Sequence, residues 1–304
     1  MASPQSLADI QDRATATLLG AAVGDALGAT LEFMTPSEIR ARYGQLRKIV
    51  GGGWLKLDAG DVTDDTEMSL CVARSLVSRG WSPHDLAERF ADWLRQRPVD
   101  VGNTCRRGIA RYINTGRLWS PPGDGDAGNG AAMRMGPVAL ATLADAELLQ
   151  RIAIEQAHLT HNHPLSDAAC VLVGRLIHQA CLGRSQMQLR RVADETVAQL
   201  RSFTFVPYRG LATAYVVDTL QTVLHFFFST SNFEDCVVAT VNQGGDADTT
   251  GAIVGAIAGA YYGRAQIPGR WLKKLDPHLV SELGQLALGL VMRSPLAQST
   301  RALP

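Results

Sequence analysis

Residues 241–263 have the sequence VNQGGDADTTGAIVGAIAGAYYG. Its first part gathers Asp246, Asp248, Thr249 and Thr250 behind two glycines, and the rest is almost entirely small or apolar. Glycines four residues apart line one face of an α-helix, so the stretch predicts a buried helix that packs closely against a neighbour. The arrangement raises the question of why carboxylates and hydroxyls stand where a buried helix begins.

Helical patterns extend outward from this stretch over most of the chain. Apolar residues at helical spacing predict helices over 8–33, 66–79 and 83–95, and over eight further segments. Strand-like alternation is nearly absent, and FTFVP at 203–207 is its best example. The sequence therefore predicts an all-α fold of roughly ten or more helices. The further segments lie at about 132–145, 147–157, 165–182, 186–201, 211–229, 232–242, 249–262 and 278–291.

Composition narrows the class of protein. The chain has 304 residues, which allows one large domain or two small ones, and its 46% hydrophobic content is enough for a sizeable core. No segment looks like an interdomain linker, so we expect a single domain over 1–304 with its core at about 12–295. Basic and acidic residues number 29 each, so the net charge of zero gives no electrostatic reason to expect a nucleic-acid partner. Five scattered cysteines, no signal-peptide pattern and no long apolar run predict a cytoplasmic protein without a transmembrane segment.

Two segments, TDDT (63–66) and GDADTT (245–250), each place aspartate and threonine before an apolar helix. In the first, Thr63 fits an N-cap and the two aspartates fall in the first turn. In the second, the aspartates are two residues apart, so an extended backbone directs both to the same side. Either segment alone is compatible with simple capping. Together they supply several hard oxygen ligands, which favour Mg²⁺, Mn²⁺ or Ca²⁺ and allow a two-metal site.

Six segments, in the same order along the chain, resemble those of the ADP-ribosylglycohydrolases. The resemblance is strongest to the branch that reactivates dinitrogenase reductase in nitrogen-fixing bacteria. It implies a compact all-α fold with a central two-metal cleft that holds two Mn²⁺ or Mg²⁺. The segments are GAAVGDALGATLEF (20–33), DVTDDTEMSL (61–70), VDVGNTCRRGI (99–109), GNGAAMRMGPVAL (128–140), THNHP (160–164) and NQGGDADTTGAIVGAIAGAYYG (242–263).

The same resemblance implies which residues form the site. Asp100 matches an acidic residue of the arginine-specific branch and Glu32 matches a glutamate near the metals, so we expect these two to be catalytic. The implied metal ligands are Thr63, Asp64, Asp65, Asp246, Asp248 and Thr249. The expected substrate contacts are Asn103, Gly128, Asn129, Gly130, Met133, Arg134, His161 and Tyr215.

Several of these contacts have a structural alternative. The glycine-rich segment at 123–134 fits a diphosphate cradle of backbone N–H groups with added charge from Arg134, but equally a mobile surface loop. His161 fits a polar substrate contact or a structural histidine better than a metal ligand, because the other candidate ligands are oxygen atoms. Tyr215 fits either adenine stacking or an ordinary core position.

The implied reaction is hydrolysis of the N-glycosidic bond between ADP-ribose and an arginine side chain of a modified protein. By resemblance the target is the nitrogenase iron protein, dinitrogenase reductase, whose release from modification would reactivate nitrogen fixation. Family behaviour also implies a PII-type signalling partner and reversible, peripheral membrane association through a partner. Three alternatives stay open: hydrolysis of serine-linked, O-acetyl or polymeric ADP-ribose, a non-catalytic ADP-ribose binder, and a phosphohydrolase that yields AMP.

Overall fold

The computed structural model describes residues 5–301, and its regular structure is helical. Within these residues the β-structure is limited to two isolated bridges, Gly52–Leu57 and Gly128–Tyr215, so the all-α prediction is confirmed. The α-helices in chain order are α1 (Leu7–Gly28), α2 (Pro36–Tyr43), α3 (Asp64–Arg79), α4 (Pro83–Arg95), α5 (Asn103–Thr115), α6 (Met135–Ala141), α7 (Ala146–His158), α8 (Pro164–Cys181), α9 (Gln186–Gln199), α10 (Val216–Ser229), α11 (Phe233–Val241), α12 (Ala247–Tyr262), α13 (Gly269–Leu272), α14 (Pro277–Arg293) and α15 (Pro295–Arg301).

Helices α1 and α12 form the centre of the molecule, and their backbones touch. A Cβ atom added to Gly24 would lie 2.0 Å from the carbonyl oxygen of Gly251, and one added to Gly255 would lie 2.1 Å from that of Gly20. Only glycine leaves room for this approach, so the predicted close packing of the α12 glycine face is confirmed. The fourth glycine of the series, Gly263, instead ends the helix with a φ of 81°.

The same contact places the acidic start of α12 beside the end of α1. A Cβ atom on Gly28 would lie 2.1 Å from the carbonyl oxygen of Ala247, which opens α12. Helix α1 therefore ends at Gly28 instead of continuing to Phe33 as predicted, and the residues after it turn toward the α12 start. The backbone N–H of Phe33 donates to the carbonyl oxygen of Gly245 (2.6 Å).

The central pair is enclosed by other helices with one continuous core of buried side chains. The predicted helix over 211–229 begins only at Val216, because the carbonyl groups before it bond elsewhere: that of Ala212 accepts from the Asp246 N–H (2.6 Å). The alternating stretch at 203–207 forms no strand. Its two phenylalanines, Phe203 and Phe205, are both buried in the core. No helix between residues 5 and 301 combines the length and apolarity of a membrane span.

Candidate metal centre and active-site cavity

The start of α3 is fastened to α1 by Asp25, a fully buried aspartate in an otherwise mostly apolar helix. Its carboxylate accepts hydrogen bonds from the N–H and Oγ1 of Thr63 (3.1 and 3.0 Å) and from those of Thr66 (3.2 and 2.5 Å). Burial raises the pKa of Asp25 to about 6, and the four donors oppose that rise. Asp25 was not among the predicted site residues, although a lone aspartate inside GDALG was a signal for it.

The two acidic segments meet in space. Thr249, in the first turn of α12, donates from Oγ1 to Oδ2 of Asp65 in the first turn of α3 (3.1 Å), across 184 positions of sequence. The other oxygen of Asp65, Oδ1, is buried and has no hydrogen-bond partner. The neighbouring Asp64 accepts from the backbone N–H of Gly102 (2.9 Å), which brings the segment before α5 to the same place.

A second group of carboxylates stands beside this contact. Glu32, Asp246 and Asp248 each offer an oxygen, and these oxygens all lie within 4.8 Å of one another. Asp246 accepts from Nδ2 of Asn129 (2.6 Å), which ties the glycine-rich segment to the start of α12. Three carboxylate oxygens at this separation form a cluster that can hold a metal ion.

The electrostatics of the cluster fit a divalent cation. Burial, then neighbouring charges, raises the pKa of Glu32 to about 8 and that of Asp64 to about 7, and it raises the pKa of Asp65 and Asp248 well above the usual range. Among residues 5–301, none of those that line the cavity described next is lysine or arginine. A hard cation would neutralise the mutual repulsion of these carboxylates and would give the buried Asp65 Oδ1 a partner. The donor atoms are all oxygen, which such a cation prefers.

The carboxylates open into a cavity of about 390 Å³. Phe33 and Trp54 lie against each other at a tilted angle on its wall, and the Glu32 carboxylate accepts from the Trp54 indole N–H. Asp100 also lies on the cavity wall. Burial raises the pKa of Asp100, and its charge contributes to the raised pKa of Glu32. The aromatic pair was not predicted from the sequence, although a tryptophan directly after three glycines was a signal of an exposed tip.

The other side of the cavity is built from the glycine-rich segment and His161. A Cβ atom on Gly130 would lie 2.8 Å from Sγ of Cys105 and 3.0 Å from the His161 ring, so no side chain fits there. His161 is buried and lies with its Nδ1 2.8 Å from Oγ1 of Thr160. Burial and the charges of two arginines hold its pKa well below the usual range, so the ring is neutral and can offer an uncharged polar contact.

Most of the predicted site residues line this one cavity. Thr63 and Asp65 lie behind the wall, where they support it, and Tyr215 stands at the N-cap of α10 with 44% of its surface exposed. The backbone of Tyr215 is bridged to Gly128, so it borders the glycine-rich side without lining the cavity. The predicted residues that line the cavity are Glu32, Asp64, Asp100, Asn103, Gly128, Asn129, Gly130, Met133, His161, Asp246, Asp248 and Thr249.

Arg134 does not line the cavity, and its side chain lies in the core instead of making the expected contact with a diphosphate. Its guanidinium is fully buried and donates to Oε1 and the carbonyl oxygen of Gln156 (2.7 and 3.0 Å) and to Oγ1 of Thr160 (2.9 Å). The group also lies over the Phe90 ring, 4.8 Å from its centroid. These partners make Arg134 an internal anchor that fixes the glycine-rich segment against α7.

Comparisons with known proteins identify the family of the chain. The ADP-ribosylglycohydrolase family model matches residues 6–300. The chain is 55% identical over 275 residues to the ADP-ribosyl-[dinitrogen reductase] glycohydrolase of Rhodospirillum rubrum, covering 90% of this chain and 94% of that protein. It is 32% identical over 283 residues to the ADP-ribosylarginine hydrolase Tri1 of Serratia proteamaculans, covering 87% of this chain and 75% of that protein.

A solved structure, described as an ADP-ribosylglycohydrolase-related protein complex, shares the fold with a TM-score of 0.84 and 35% sequence identity. The similarity covers 94% of this chain and 99% of that one. Sequence, fold and the carboxylate-lined cavity agree, and the chain belongs to the ADP-ribosylglycohydrolase family.

Proposed function

We propose that this protein is a metal-dependent hydrolase that removes ADP-ribose from an arginine side chain of a modified protein. The observation that carries the proposal is the cavity in which two separate acidic helix starts meet, with Asp100 and Glu32 on its wall. The 55% identity to the Rhodospirillum rubrum enzyme supports dinitrogenase reductase as the protein substrate, and with it a role in reactivating nitrogen fixation.

The carboxylate cluster defines where metal would bind. Two Mn²⁺ or Mg²⁺ would be held by oxygen ligands from the two helix starts, namely Thr63, Asp64, Asp65, Asp246, Asp248 and Thr249. When bound, the ions would bind ribose hydroxyls and make a water molecule more acidic. The support for this is the donor chemistry: oxygen ligands only, an unpartnered Asp65 Oδ1 and no lysine or arginine on the cavity wall.

The reaction needs one proton delivered and one removed. Hydrolysis breaks the bond from C1″ of the ribose to the arginine nitrogen and joins a water oxygen to C1″, while one water proton ends on the guanidine nitrogen. We assign the proton transfer to Asp100, with Glu32 as the second candidate. Both carboxyl groups line the cavity, and burial raises the pKa of each, that of Glu32 to about 8.

The remaining cavity residues would hold the nucleotide. Gly128 and Gly130 have no side chains, which leaves room at this wall for the approach of a diphosphate, while the N–H of Asn129 between them donates to the Ala214 carbonyl oxygen (3.1 Å). Neutral His161 and the amide of Asn103 can contribute uncharged polar contacts, Met133 an apolar one, and Tyr215 lies nearby for the adenine. Control by a PII-type signalling protein, membrane association through a partner and a cytoplasmic location stay predictions.

The test is a release assay on separate arginine-linked, serine-linked and O-acetyl substrates with Mn²⁺ supplied, in which the products are separated as ADP-ribose or AMP. We expect intact ADP-ribose from the arginine linkage, and an Asp100→Asn variant that loses most of this release. Asp194→Asn, on the exposed face of α9, is the matched control and should behave like wild type. Release of AMP, or preference for the serine linkage, would contradict the proposal.

A further inference from the structure

Two large aromatic side chains stand next to each other on the cavity wall and are left largely open to solvent. Phe33 and Trp54 are 66% and 53% exposed, and their ring centroids are 5.3 Å apart with an interplanar angle of 53°. Both line the cavity. Aromatic rings of this size are usually buried, so a pair exposed at the rim of a site indicates that a ligand covers them.

The backbone holds Phe33 in this position against its own preference. Its φ is 62°, in the left-handed region that bulky residues rarely adopt. Two hydrogen bonds fix it there: the Phe33 N–H donates to the Gly245 carbonyl oxygen (2.6 Å), and the Gly245 N–H donates to the Met34 carbonyl oxygen (2.9 Å). Unfavourable backbone conformations of this kind persist where the surroundings enforce them, often at functional sites.

Trp54 is held as firmly, at the tip of a tight hairpin. Gly52 and Leu57 exchange backbone hydrogen bonds of 2.8 and 3.0 Å, and a Cβ atom on Gly53 would lie 2.4 Å from the carbonyl oxygen of Ala29. The hairpin therefore rests directly on the turn after α1. The indole N–H donates to the Glu32 carboxylate, which fixes the direction of the ring plane.

The charges around the pair decide what kind of ligand fits. Carboxyl groups of Glu32 and Asp100 share the cavity with the rings, and the cavity wall contains no lysine or arginine. An anionic diphosphate is repelled by these two carboxylates, and the absence of side chains at Gly128 and Gly130 leaves room for it elsewhere on the wall. A planar cation is attracted by both the carboxylates and the aromatic faces.

We propose that Phe33 and Trp54 form the subsite for the guanidinium of the modified arginine and thereby select the arginine linkage over uncharged linkages. This inference rests on the proposed function and assigns its specificity to a particular pair of side chains. The rings would contact the leaving group, while the nucleotide occupies the Gly128–Gly130 side.

The test compares ADP-ribosyl-arginine as substrate with ADP-ribose, which lacks the arginine, as competitive inhibitor. For Trp54→Leu and Phe33→Leu we expect KM for ADP-ribosyl-arginine to rise about tenfold, while Ki for ADP-ribose stays within about twofold of wild type. Trp54→Phe keeps an aromatic face but not the N–H, and should stay within about threefold of wild type in KM. The control is Trp119→Leu, an exposed tryptophan outside the cavity, which should change neither constant.

Each other result contradicts the inference. An unchanged KM in both leucine variants would mean that the rings do not contact the substrate. A parallel rise in Ki would mean that they hold the nucleotide instead. Equal effects of Trp54→Phe and Trp54→Leu would make Trp54 a positioning residue for Glu32.

If wild type releases nothing from the arginine linkage, the proposed function fails separately. Calorimetric binding of the intact substrate and of ADP-ribose to the same variants then still tests the aromatic pair.

Discussion

The two acidic helix starts look alike in sequence but differ in how they are held. At α3, Thr63 and Thr66 give four hydrogen bonds to the buried Asp25, and Asp65 lies behind the cavity wall. At α12, Asp246 and Asp248 line the cavity directly. The anchor of the α3 start is the buried Asp25, whereas Asp64 at α3 and Asp246 and Asp248 at α12 present carboxylates to the cavity. Loss of the anchor should therefore lower stability, and loss of a site carboxylate should lower activity.

The largest effect is expected at the open start. Asp248→Ala should lower the rate of ADP-ribose release by at least about 100-fold, because removing even a partner of a metal ligand typically lowers activity 10- to 100-fold. Its thermal midpoint in EDTA should not fall, since the variant removes one of several repelling carboxylates. Release assays measure the rate and thermal unfolding measures the midpoint, with Asp194→Ala as the control for both. An Asp248→Ala variant that is fully active, or that unfolds at a lower temperature in EDTA, would contradict this prediction.

The next effect concerns the helix pair that brings the two starts together. Gly24→Ala should lower the free energy of unfolding by about 3 kcal/mol or more, because the new methyl group meets the Gly251 carbonyl. Gly284→Ala, in α14 with nothing within 4 Å of its added Cβ, should raise stability by up to about 1 kcal/mol. Denaturant unfolding of both variants is the measurement, and equal effects would show that α1 and α12 are not in backbone contact.

A smaller effect is expected at the anchored start. Asp25→Ala leaves four hydrogen-bond donors at the start of α3 without their acceptor, so the free energy of unfolding should fall by roughly 1–3 kcal/mol. Denaturant unfolding in EDTA should show this loss of unfolding free energy for Asp25→Ala and no such loss for Asp248→Ala. If the two variants unfold alike, the contrast between scaffold and open site is wrong.

The smallest effect tests the link between the two starts. Thr249→Val removes the hydroxyl that donates to Asp65 and should lower stability by about 1 kcal/mol. Thr250→Val is the matched exchange, because its hydroxyl bonds only to carbonyl groups of the α12 start, and it should change stability by less than about 0.5 kcal/mol. A reversed order in chemical denaturation would mean that the cross-link contributes nothing.

The fold was largely predictable because helical periodicity and glycine spacing are local signals. The helix over 83–95 was predicted with the bounds that the structure has, and α12 within two residues. Helix α2 was not predicted: it is short, and Ile39 is its one buried residue, which leaves little apolar pattern to detect. FTFVP looked like a strand because phenylalanine and valine favour strands, yet its two phenylalanines are buried without a partner strand in the described chain.

The site was predictable where its chemistry lies within a motif, and not where it depends on distant contacts. Asp64 and Asp248 belong to clusters that can be read directly from the sequence. Asp25 acquires its role only through residues 38 and 41 positions away, and Trp54 through a glutamate 22 positions away. Arg134 follows a glycine-rich segment, a position typical of a phosphate ligand. Its hydrogen-bond partners, Gln156 on α7 and Thr160 just after α7, hold its side chain in the core instead.

The most direct test of the account is calorimetric titration of the metal-free protein with Mn²⁺. We expect two bound ions per chain. The affinity should fall strongly both in Asp65→Asn at the α3 start and in Asp248→Ala at the α12 start, and should be unchanged in Asp194→Ala. If wild type binds no Mn²⁺, or if Asp65→Asn binds it as tightly as wild type, then the two helix starts do not form one metal centre.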